Sequence, residues 1–125
     1  MWGALILVAL LMAPAATAQG IPRANCGFGE GLAQLSDVEG EARLPVPGVL
    51  EGRARGERML GALNTAAGTF RNCGCPRLAE LTVEATRVAE SAPSEASVPR
   101  LTQIFSQLRF RVQLAREQSE RQACR

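Results

Sequence analysis

Apolar residues recur at helical spacing along most of the chain, and the points where that rhythm breaks divide it into segments. From Val49 to Asn72, the residues Val49, Gly52, Gly56, Met59, Leu60, Leu63, Ala66, Ala67 and Phe70 fall on one helical face. The two glycines on that face each cost about 1 kcal/mol of helix propensity relative to Ala, which close approach of a neighbouring backbone would offset. The alternative is a turn over Gly52 to Gly56 and a helix that starts near Glu57.

A further helix is bounded by Pro76, which suits a first helical position, with Cys75 or Gly74 as its cap. Its apolar stripe is Leu78, Leu81, Ala85, Val88 and Ala92, while Glu80, Glu84, Arg87 and Glu90 read as a solvated face with Glu84 and Arg87 at ion-pair spacing. After a turn over 91–94, the longest helix is expected from Val98 to Ala123, capped by Ser97, with Pro99 tolerated in its first turn. It buries Leu101, Ile104, Phe105, Leu108, Val112 and Ala115, with Arg109, Arg116 and Arg111 snorkelling at the margins. Phe110 and Leu114 lie off that stripe and form a second apolar patch, covered either by an N-terminal segment or by a partner.

Upstream the signal is weaker. Phe28, Leu32, Leu35, Val38 and Ala42 permit a short helix between about Glu30 and Ala42, and Leu44-Pro45-Val46-Pro47-Gly48 excludes helix and reads as an extended linker. Residues 1–18 combine an apolar run from Ala4 to Met12, a break at Pro14 and the small-residue pattern Ala16-Thr17-Ala18, the features of a cleaved export signal. The apolar run is too short to span a bilayer, so the expected organisation is a signal peptide at 1–18, an N-terminal segment with a short helix and linker at 19–48, and a bundle core at 49–125 within the same domain.

Composition narrows the chemistry. The chain has no His and no Tyr, and all fourteen of its basic residues are Arg. Catalysis through His triads, Lys Schiff bases or Tyr acid/base groups therefore lacks its reagent, as do His-ligated metals and haem. The Arg-for-Lys replacement is most simply a coding bias of a GC-rich bacterial genome. A formal net charge of +2 gives no electrostatic footprint for nucleic acid. A carboxylate pair would have to come from Glu39 with Glu41 or Glu51, and these read as surface charge.

Four cysteines remain: Cys26, Cys73, Cys75 and Cys124. In an exported chain an even count points to disulfides. A bridge between Cys73 and Cys75 would close a strained ring, so one of them should join Cys26 and the other Cys124, in an order that spacing leaves open. In an up-down-up-down bundle all four would share one pole. Two other uses of that pole compete: a thiolate metal site, although Cys-x-Cys with two distant cysteines is not the usual two-pair zinc spacing, and a redox role favoured by the helix start near Cys75.

The sequence thus predicts an all-α, disulfide-stapled bundle of three long helices and one short N-terminal helix. It is expected to be periplasmic or secreted and to act without catalysis or cofactor. The expected role is that of a protein-interaction or structural module of the bacterial cell envelope, with Phe110 and Leu114 as its contact patch. A small outer stripe at Ala54, Gly61 and Gly68 could admit another helix closely. The rival expectation is a thiol-based metal-binding or redox protein.

Overall fold

The computed structural model describes residues 21–122 and Cys124; the expected export signal lies outside the described residues. Within them the chain forms four α-helices: α1 over Phe28–Arg43, α2 over Val49–Asn72, α3 over Pro76–Ala89 and α4 over Val98–Gln122. A single 3-10 turn at Ala92–Ser94 lies between α3 and α4. α1 and α3 each pack against both α2 and α4, and the core fills the space between them.

The local chemistry explains most of the boundaries. Ser97 caps α4, its Oγ accepting the Arg100 N–H at 3.3 Å. At the end of α2, Gly74 takes the left-handed conformation with φ 77°. The Gly74 N–H donates to the Arg71 carbonyl at 3.0 Å and the Cys75 N–H to the Phe70 carbonyl at 2.9 Å, the two bonds of a Schellman stop. Cys75 is then the N-cap of α3, with Pro76 immediately inside. The expected short N-terminal helix comes out at sixteen residues, two longer than α3, because it starts at Phe28 behind Gly27, whose φ is 84°. The exposed Gly40 does not interrupt it.

The stripe expected on α3 needs two corrections. The helix stops at Ala89, so Ala92 is buried from the following turn instead. The inward face also includes Thr82 and Thr86. Both are tolerated because each hydroxyl donates to the carbonyl four residues back, Thr82 to Leu78 at 2.8 Å and Thr86 to Thr82 at 2.9 Å, leaving the methyl group to pack.

Helix lengths are unequal, and this decides how the connections run. At 1.5 Å per residue, α2 and α4 are about 36 and 38 Å long, while α1 and α3 are only about 24 and 21 Å. The connecting segments therefore have to lie along the first turns of α2 and α4. α2 is helical through Gly52 and Gly56, so the alternative start near Glu57 is not taken. A Cβ on Gly52 would lie 2.7 Å from Leu101 Cδ1, and one on Gly56 would lie 2.6 Å from the Cβ of Ala92 and 3.5 Å from its carbonyl carbon. The expected close approach of a backbone is found at Gly56, whereas Gly52 makes room for the side chains of Leu101 and Val46.

Two substitutions separate this effect from helix propensity. Gly56→Ala should destabilise the protein by about 1–3 kcal/mol, overpacking outweighing the gain of about 1 kcal/mol in propensity. Gly61→Ala, where a Cβ would meet nothing within 4 Å, should stabilise it by about 0.5–1 kcal/mol. Denaturant unfolding measures both, and a Gly56→Ala protein as stable as Gly61→Ala would refute the packing argument.

Candidate functional site

Three places bear on function: the cysteine pole, a buried charge network between α1 and α4, and the outer surface of α4. At the pole Cys26 pairs with Cys73 and Cys75 with Cys124, which fixes the order that spacing left open. The Schellman stop is the reason these partners differ. Gly74 reverses the chain between the two cysteines, so their side chains leave toward opposite neighbours, one reaching Cys26 two residues before α1 and the other Cys124 two residues after α4. Cys73 and Cys75 are fully buried, Cys124 nearly so, and Cys26 is half-buried. The segment before Cys26 adds to the cover, the Arg23 N–H donating to the Cys73 carbonyl at 3.0 Å.

The bridges close loops of 47 and 49 residues in sequence separation. A chain-entropy model assigns each about 4 kcal/mol, although measured gains often fall short. All four sulfurs are consumed by these bonds, so a thiolate metal site would require both to be reduced. Among the described residues, no group of three or more Cys, Asp or Glu is placed to hold a metal ion.

Glu39 corrects the sequence reading. Expected as surface charge, it is only 4% exposed. Its carboxylate accepts from Arg116 and Arg43 and, at 3.2 Å, from Gln113 Nε2. Burial by itself would raise its pKa, but the hydrogen bonds from Arg116 and Gln113, with the charges of Arg116 and Arg43, more than offset that and hold the carboxyl below its ordinary range. Arg116 is accordingly no simple snorkel. The signal was present in the sequence: Glu39 lies one turn after Leu35 and one before Ala42 on the core stripe, and Arg116 adjoins Ala115. Glu41 and Glu51 take no part in this network.

Arg55, also unanticipated, is 5% exposed and occupies the core face of α2 between Gly52 and Met59. Its Nη1 donates to the Leu44 carbonyl at 2.9 Å and its Nη2 to the Pro45 carbonyl at 3.1 Å, with the guanidinium 5.9 Å from the centre of the Phe105 ring. Arg53 Nε donates to the Glu95 carbonyl at 2.6 Å. The first two turns of α2 thereby hold the α1–α2 and α3–α4 connections through backbone carbonyls that would otherwise lack partners.

The expected contact patch divides. Phe110 is 58% exposed, beside Val88 of α3 and next to Gln107 and Arg111 along a shallow groove. Leu114 is half-buried. Glu84 pairs across this side with Arg111 at 3.5 Å and not with Arg87 as its spacing suggested. Ala54, Gly61 and Gly68 are exposed on α2, with nothing within 4 Å of a Cβ at either glycine. No helix of the described residues is long and apolar enough to cross a membrane. No protein-family model, curated protein or solved structure matches the chain.

The Glu39 network makes a signed prediction. Its folded pKa is lowered, so its contribution is present above the unfolded carboxylate value of about 4.3 and is lost as pH falls from there through the folded pKa. Glu39→Gln should lose about 1–2 kcal/mol at neutral pH, toward the low end because Arg43 and Arg116 reach solvent. The deficit should shrink as the pH is lowered. Urea unfolding of both proteins across that range measures it, and parallel stability curves would refute it.

Proposed function

We propose that the protein is an exported, non-catalytic interaction module of the bacterial cell envelope. In this reading it is a periplasmic or secreted up-down-up-down bundle whose two disulfides make it a rigid carrier of surfaces. The observation that carries the reading is Phe110. α4 buries Leu101, Phe105, Leu108 and Val112, yet leaves this one large aromatic open to solvent beside Val88 and Arg111. Aromatic and Arg side chains are enriched in interface cores and among the residues that dominate binding energy. Two disulfides are also a feature of chains that fold in an oxidising compartment.

Phe110→Glu tests the surface with little risk to the fold, whereas Leu114→Glu is a poorer probe because Leu114 is half-buried. The Phe110→Glu protein should keep its helical circular dichroism and melting temperature. It should lose a partner, or a dimer, that the parent protein retains in envelope extracts and on sizing columns. Equal retention by both would refute the reading.

The rival thiol-based reading rests on the shared cysteine pole and on the half-buried Cys26, the most accessible sulfur of the four. Intact mass tests the metal-binding form of the rival, and the redox form is tested by whether a thiol reductant opens a bridge in the folded protein. Protein purified without reductant should weigh about 4 Da less than its fully reduced form, two hydrogens for each bridge. Four free thiols with a bound metal ion would favour the rival.

A further inference from the structure

A second face of α4, on the α1 side, carries a groove with different chemistry. The segment 42–46 forms one wall and α4 from Thr102 to Arg109 the other, around about 220 Å³. Its apolar side is built by Leu44, Val46 and Phe105, and Thr102 and Ser106 bring hydroxyls to it. The charged residues that line it are both arginines, Arg43 and Arg109, with no carboxylate among them.

Three observations give this groove a ligand chemistry. Its charge is unbalanced: Glu39 is shared between Arg43 and Arg116, one carboxylate for two guanidinium groups, and Arg109 has no ion-pair partner among the described residues. Its loop wall is held in place, because Arg55 donates to the carbonyls of both Leu44 and Pro45. Leu44 nonetheless leaves its own side chain 56% exposed.

We propose that this groove binds a free monocarboxylate with a short apolar chain. The carboxylate lies between Arg109 and Arg43, and the chain lies along Leu44 and Val46. Arg suits this task because its planar fork offers two parallel donors to a carboxylate. The groove meets the one beside Phe110 at Ser106, but Phe110 itself does not line it, so the proposal stands whether or not that residue contacts a partner.

Sodium octanoate, titrated below its micelle-forming concentration into the isotope-labelled protein, tests the proposal by NMR. Saturable amide shifts are expected at Val46, Thr102 and Ser106. Arg109→Gln should weaken binding roughly tenfold and octan-1-ol should bind at least that much more weakly, each having lost one side of the charge-assisted pair. Phe110→Ala, which adds no charge beside Arg109, should leave the titration unchanged, which separates failure here from failure of the interaction reading. The proposal is overturned by an absence of saturable shifts, by equal binding of octanoate to Arg109→Gln, by equal binding of octan-1-ol, by loss of binding in Phe110→Ala, or by shifts that arise only with anionic lipid vesicles.

Discussion

The turn Cys73-Gly74-Cys75 is the constraint on which the rest of the structure depends. It ends α2, starts α3 and sends one disulfide to Cys26 just ahead of α1 and another to Cys124 just beyond α4. Four helix ends are fixed at one place by a left-handed glycine and two covalent bonds. The core it supports is rich in Ala, including Ala66, Ala67, Ala79, Ala85, Ala89 and Ala115, side chains that contribute little apolar area each. Small inward residues let helices approach closely but supply a modest hydrophobic driving force. Cross-links that act mainly on the unfolded ensemble suit such a core.

Away from that pole the unequal helices set a second problem, which α2 solves. Its first turns present Gly52 and Gly56 where the neighbouring segments come close, and Arg53 and Arg55 where those segments expose carbonyls. The same stretch of sequence therefore supplies space and hydrogen-bond donors. At the cysteine end the connection between α2 and α3 is covalently fixed. At the far end the two longer connections are held by guanidinium groups and close contacts alone.

Much of the fold was legible in the sequence because its signals were local. Pro76, Ser97 and Gly74 act on the backbone within a residue or two of where they stand, and the apolar stripe of α4 appears as read, with Ile104 at its half-buried edge. Glu39 and Arg55 were misjudged because burial of a charge depends on a distant partner. Glu39 needs Arg116, 77 residues away, and Arg55 needs the carbonyls of a segment that reads only as a linker. A charged residue on a core stripe is the sequence trace of such a pair, yet it does not name the partner. The pairing of Glu84 with Arg111 in place of Arg87 follows the same rule, with a residue from another helix displacing the neighbour on its own.

The absence of Lys, read from composition as a coding bias, has a structural use in three places. Arg55 spans two successive carbonyls with separate nitrogens of one planar group, and Arg43 and Arg116 converge on a single buried carboxylate. A Lys ammonium concentrates its charge at one strongly hydrated point and would be harder to desolvate at positions 55 and 116. The buried charges are thus committed to holding the bundle together, and the cysteines to closing it. The groups left without such work, Phe110 on one side of α4 and Arg109 on the other, both lie on the outer surface of one helix. With Glu39 and Arg55 paired inside the bundle, recognition at that surface is the chemistry these two groups leave open.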